Sequence, residues 1–90
     1  MSRKRDKLEV IYDILLNIRE KKGKANPTHI LYRSNLSYSM LQEYLQDLLR
    51  RKFIKEEKVK DKKIYSITKE GEIFILKYKE IRDFVDSFVT

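Results

Sequence analysis

The chain is poor in several residue types that carry chemistry. It has no cysteine, no tryptophan, one histidine, one proline and two glycines among 90 residues. Without cysteine there is no disulfide framework, thiolate metal site or cysteine nucleophile, and a reducing compartment is suited. His29 has no second histidine to share a metal, so a surface or partly packed side chain is expected there and no metal site. No glycine-rich phosphate loop and no Ser/His/Asp set has supporting spacing. No catalytic residues, no cofactor and no small-molecule ligand are therefore expected. No apolar run approaches the roughly 20 residues of a membrane span. Met1-Ser2-Arg3-Lys4-Arg5 is not followed by the apolar stretch of a signal peptide. These absences lead us to expect a soluble, cytoplasmic chain with no membrane partner. Its length suits one domain, with no room for a separate sensing or catalytic module.

What the chain has is charge. Lys and Arg number 21 against 14 Asp and Glu, a net +7, with 41% of residues apolar. The Lys/Glu-rich composition resembles that of thermophile proteins, where ion-pair networks gain weight at high temperature. The charge is segregated. Residues 1–68 carry 17 basic against 9 acidic side chains, and residues 69–90 carry 4 against 5. An excess confined to one part of a chain is the footprint expected of a nucleic-acid partner.

Asp6 with Glu9 reads as a capping box opening a first helix that runs to about Lys22 and ends at Gly23. Leu8, Ile11, Leu15 and Ile18 form one apolar stripe on it, and Val10 and Ile14 a second that needs cover from elsewhere. Asn26-Pro27 gives an N-cap with proline at the first helical position, starting a short helix to Arg33. Asn35 is suited to a left-handed corner, and Leu36 to plugging it. Ser37 caps a third helix to about Lys52, with Leu41, Leu45, Leu48, Leu49 and Tyr44 inward. Phe53-Ile54 to Val59 and Ile64, Tyr65, Ile67 read as two strands around the turn Lys60-Asp61-Lys62-Lys63. Thr68 caps a last helix to about Phe88. The expected class is mainly α with a small β-hairpin wing, in the order α-α-α-β-β-α with a long C-terminal helix. This is the winged helix-turn-helix plan.

The run Ile30-Leu31-Tyr32-Arg33-Ser34-Asn35-Leu36-Ser37-Tyr38, continuing through Leu48-Leu49 to Phe53-Ile54, resembles small basic archaeal winged helix-turn-helix DNA-binding proteins. The closing Tyr65-Ser66-Ile67-Thr68-Lys69-Glu70-Gly71 is similar to the way such domains pass from wing to final helix. The resemblance implies a transcriptional regulator or chromatin-type protein, nucleoid-associated, in which the C-terminal helix pairs with that of a second copy.

In this plan the start of the third helix meets base edges. Ser37, Tyr38, Ser39, Gln42 and Gln46 stand there, and Gln can bond adenine bidentately. Glu43 and Asp47 lie on or beside the same face and would repel phosphates. Arg50 can touch a phosphate or complement the helix dipole. Lys60, Lys62 and Lys63 place positive charge at the wing, where Lys serves phosphates as a point charge. Arg3, Lys4 and Arg5 form a basic arm over residues 1–5, able to reach a groove. Residues 6–68 make the DNA-binding domain and 69–90 a continuous dimerisation helix. On that helix Ile73, Ile75 and Leu76 mark buried first turns. Tyr78, Ile81, Val85 and Phe88 continue the heptad spacing begun at Phe74, and with Phe84 they form the expected homodimer seam. The expected function is double-stranded DNA binding as a homodimer, with the third helix in the major groove and the wing on backbone or minor groove. The alternative is a winged-helix docking module for another protein, without DNA contact.

Overall fold

Each helix opens on a side chain that accepts a backbone N–H. In the computed structural model, which describes residues 6–88, Asp6 Oδ1 accepts from the Glu9 amide at 2.8 Å to start α1 (Lys7–Glu20). Asn26 Oδ1 accepts from the His29 amide at 2.8 Å ahead of α2 (Pro27–Ser34). Ser37 Oγ takes the Met40 amide at 3.2 Å ahead of α3 (Tyr38–Arg50). Thr68 Oγ1 takes the Gly71 amide at 3.1 Å ahead of α4 (Lys69–Asp86). Each such cap is worth about 1 kcal/mol. Asn35 takes the left-handed corner between α2 and α3 with φ 58°.

Three strands complete the fold: β1 (Lys24–Ala25), β2 (Ile54–Val59) and β3 (Lys62–Ile67), antiparallel in the order β1-β3-β2. The observed order is therefore α-β-α-α-β-β-α. The two-residue β1 was not expected. It pairs Lys24 with Ser66 and Ala25 with Tyr65, and nothing in so short a segment alternates. The hairpin turn is also tighter than expected. Lys60 and Asp61 alone make it, both at positive φ (51° and 64°), the signature of a two-residue type I′ turn. Lys62 and Lys63 already belong to β3.

The core wraps α1, whose Val10, Ile11, Tyr12, Ile14, Leu15 and Ile18 are all buried together with Ile30, Leu41, Leu45, Leu48, Ile54, Tyr65 and Ile75. The second α1 stripe is covered within the chain. Val10 and Ile14 are both buried, while α4 runs antiparallel along the other side of α1, with Glu72 against Arg19 (3.4 Å), Tyr78 against Tyr12 (ring centroids 4.9 Å) and Arg82 over the Tyr12 ring at 4.9 Å. That stripe thus gives no reason for a second copy. Two further expectations fail for the same geometric reason, a helix with one free side: Leu8 and Leu76 are exposed.

Candidate nucleic-acid interface

The buried Leu41, Leu45 and Leu48 fix the rotation of α3. At about 3.6 residues per turn, the opposite face presents Ser39, Glu43, Gln46 and Arg50 to solvent, all exposed. Tyr38 and Gln42 lie on one flank of it. Tyr38 is 65% exposed, and Gln42 is half-buried. Ser37 is occupied as the cap, and its Oγ also lies 3.4 Å from Ser39 Oγ. The other flank, with Met40, Tyr44 and Asp47, turns toward Lys7 at the start of α1.

The hairpin stands beside the Tyr38 flank. Antiparallel partners share a face, and the register pairs Glu56 with Tyr65 and Lys58 with Lys63. Since Tyr65 is fully buried, the inner face carries Glu56, Lys58 and Lys63, and the outer face carries Lys55, Glu57 and Lys62. Tyr65 Oη donates to Glu56 Oε1 at 3.0 Å, and Lys63 Nζ lies 3.9 Å from the same oxygen. Burial and then the bond to the Glu56 carboxylate push the Tyr65 hydroxyl up to about 12, with a smaller push from the neighbouring Tyr38 phenol. Tyr38 thus marks where α3 meets the inner side of the hairpin. Lys60 sits at the tip.

The structure brings Tyr38, Gln42, Lys60 and Lys63 to one side, with Ser39, Gln46 and Arg50 on the adjoining outward face. It does not bring Lys62 there, because consecutive strand residues point to opposite faces. Lys58, on the inner face opposite Lys63, is a better-placed cation than Lys62. Placing the turn at Lys60-Asp61 and then counting by twos would have found it.

Asp47, which the sequence places beside the outward face, is ion-paired within the chain. Its carboxylate accepts from Arg50 Nη1 and Arg51 Nε, each at 3.0 Å, and Lys7 Nζ lies at 3.7 Å. The hydrogen bond from Arg51 holds its carboxyl below the usual range; burial opposes it, and the charges of Arg51, Lys7 and Arg50 add to the lowering. Its negative charge is spent inside the chain. Glu43 stays on the outward face. Among the described residues Tyr32 on α2, 84% exposed, is the most exposed large apolar side chain; a lone aromatic at an unpatterned position carries no periodic signal of its exposure.

Arg3, Lys4 and Arg5 lie outside the described residues, as do residues 89–90 of the expected dimerisation segment. Of the expected seam, Tyr78 is half-buried in its own chain between Tyr12 and Phe74. Ile81, Phe84, Val85 and Phe88 are 62%, 64%, 52% and 75% exposed, and Phe84 and Phe88 meet edge to face at 5.1 Å. Among the described residues no cluster of His, Asp or Glu could hold a metal, and no helix is long and apolar enough to cross a membrane.

Four capped helices, a left-handed corner between the second and third, and a two-stranded wing locked to a short third strand define the class. The chain belongs to the winged helix-turn-helix family, which matches it over residues 4–86. An uncharacterised protein of Methanocaldococcus jannaschii is 34% identical over 78 residues, 87% of this chain; the chain spans about a third (34%) of that relative's length. Sso10a-2, a DNA-binding protein from Sulfolobus solfataricus, superposes with a TM-score of 0.84 at 26% identity, over 94% of this chain and 86% of the other. TubR from Bacillus thuringiensis serovar israelensis, in a structure bound to 24 bp of tubC, superposes with a TM-score of 0.70 at 20% identity, over 80% of this chain and 81% of the other. The fold is that of winged-helix regulators of the DNA-binding type, and the archaeal resemblance drawn from the sequence stands.

Proposed function

We propose that this protein binds double-stranded DNA as a homodimer, as a transcriptional regulator or chromatin-like protein of the nucleoid and cytoplasm, without catalysis. The observation that carries the reading is the polar outward face of α3 flanked by the inner side of a lysine-bearing hairpin. An α-helix fits the major groove; here Ser39, Gln42 and Gln46 meet base edges, Tyr38 lies at the rim, and Lys58, Lys60 and Lys63 contact backbone or minor groove. Arg50 adds a phosphate contact, and Arg3, Lys4 and Arg5 a basic arm. No arginine stands in the first three turns of α3 to take guanine, so sequence preference is modest. Of the two carboxylates that speak for the docking-module alternative, Asp47 is ion-paired within the chain and Glu43 alone remains.

The dimer half of the proposal rests on Ile81, Phe84, Val85 and Phe88. Contiguous exposed apolar side chains of this kind mark interaction sites, and each large one is worth about 1.5–3 kcal/mol when fully buried.

The experiment is a binding titration on random and genomic duplexes at two salt concentrations. Lys60→Ala with Lys63→Ala should weaken binding to all duplexes alike and flatten the log–log salt slope by about 0.9 per phosphate lost. Gln42→Ala should instead narrow the difference between sequences, by about 1–3 kcal/mol if a base is read. A parent without salt-dependent duplex binding overturns the reading. For the dimer, Ile81→Asp should yield a folded monomer by sedimentation; a monomeric parent at micromolar concentration refutes that part alone.

A further inference from the structure

The outer face of the sheet, turned away from the core, is left unused by this reading. Alternation places Lys24 on β1, Ser66 and Lys62 on β3, and Lys55 on β2 there, with Glu57, Val59 and Ile64 between. Lys24, Ser66 and Lys55 form one row across the three strands. With neighbouring strands about 4.8 Å apart, the two lysines of the row are separated by roughly 10 Å, and Lys62 lies about 13 Å further toward the tip. Lys55 and Lys62 enter no ion pair among the described residues, and Lys24 only a loose one with Glu57 at 4.0 Å. Lys21 and Lys22, both exposed, lead into the same edge. The inner lysines cannot share this face, because the sheet lies between.

We propose that this outer sheet face is a second duplex-binding surface, holding the phosphate backbone of a DNA segment other than the one on α3. The proposal rests on the reading of α3 and the inner hairpin as the first DNA surface. The chemistry of the face selects the partner. Protein–protein hot spots are enriched in Trp, Tyr and Arg and interface cores are depleted of Lys; this face has no aromatic or arginine side chain, and Val59 is its one exposed large apolar residue. Spaced lysines on long stems with a hydroxyl among them suit phosphate oxygens as point-charge contacts. Such binding reads no bases and is steeply salt-dependent. One chain would then bridge two duplexes.

The test counts duplexes per chain. The full chain is mixed with excess short duplex of mixed sequence at low salt, and the mass of the complex is read by sedimentation. A homodimer using only its α3 surfaces takes at most one duplex per chain, so the count does not depend on oligomeric state. Two duplexes per chain are expected, with the second lost first as salt rises. Replacing Lys24, Lys55 and Lys62 together with Gln should return the count to one or fewer, with the first affinity kept within about threefold. The single variants Lys55→Gln and Lys62→Gln, which cannot perturb a core they do not touch, should each weaken the second event. A parent that stops at one duplex, or a triple variant in which the first event weakens as much as the second, overturns the second surface and leaves the first standing. A parent that binds no duplex overturns both. Polyglutamate displacing the second duplex as well as unlabelled DNA does would overturn the assignment to DNA.

Discussion

Replacing Asp47 with Asn should make the protein less stable and its DNA binding stronger. One carboxylate, its side chain only 14% exposed, holds Arg50, Arg51 and Lys7. The arginines are 74% and 48% exposed and Lys7 59%, so solvent screens the partners; pairs of this kind contribute about 0.3–0.5 kcal/mol each within a helix and 0.2–1 between elements. The loss is then on the order of 1 kcal/mol, which in a domain of this size lowers Tm by about 4–8 °C. The same change frees Arg50 on the outward face of α3. One new phosphate contact would steepen the log–log salt slope by up to about 0.9. The pH dependence has a definite sign. A carboxyl whose folded pKa lies below its unfolded value near 3.8 stabilises the fold above that value and ceases to do so as pH falls through the folded one. The stability gap between parent and variant should be constant from pH 7 to about 5 and close below about 3.8. Thermal melts across this range and duplex titrations at two salt concentrations supply both readouts. A variant with lowered Tm and an unchanged salt slope would refute the placement of Arg50 at the DNA surface. One with unchanged Tm would refute the ion-pair cluster itself.

Two further outcomes follow from the packing. A Cβ on Gly71 would run into the Phe53 carbonyl oxygen and come within 2.8 Å of Ile67 Cγ1, so Gly71→Ala should destabilise by about 1–3 kcal/mol despite the better helix propensity of Ala; a urea midpoint at or above that of the parent would contradict the close approach of α4 to the α3–β2 turn. Tyr65, with its hydroxyl raised to about 12, favours the neutral phenol in the folded state, so its contribution is present below pH 10 and lost as pH rises through about 12. An absorbance titration of the six tyrosines should show a late component that Tyr65→Phe removes, and an unaltered curve would speak against the buried bond to Glu56.

The helix starts were legible because caps are local chemistry. Asp6, Asn26, Ser37 and Thr68 each bond an amide three residues on, and that spacing is written in the sequence. Asn35 was legible for the same reason. The strand β1 was not, since two residues become a strand only through their partners on β3. Nor was the end of the apolar cover on α4. The heptad stripe Phe74, Tyr78, Ile81, Val85, Phe88 is continuous in the sequence, but α1 begins at Lys7, and the cover it lends to its antiparallel neighbour fades after Tyr78. The two sides of the wing were not legible while the turn was drawn as Lys60-Asp61-Lys62-Lys63. A turn drawn as four residues hides the alternation that separates Lys62 from Lys63, and with it the division of the hairpin into an inner and an outer basic face.

The distribution of ion pairs bears on the DNA surface proposed above. On the helical body four carboxylates hold close ion pairs: Glu20 to Arg33, Glu72 to Arg19, Asp83 to Lys79, and Asp47 to three cations. On the hairpin the balance runs the other way. Glu56 and Glu57 meet Lys63 and Lys24 only at 3.9 and 4.0 Å, while Lys55, Lys58, Lys60 and Lys62 enter no ion pair among the described residues. Lys58 stands directly across from Lys63, a like-charge pair of the kind that destabilises a hairpin, offset here by the loose contact of Lys63 with Glu56. Lys60 occupies a left-handed position at φ 51°, where Gly or Asn would be less strained. A sequence shaped for hairpin stability alone would keep neither feature. If the wing meets DNA as proposed, a phosphate between Lys58 and Lys63 would remove that repulsion on binding, and the duplex would relieve a strain that the free hairpin carries.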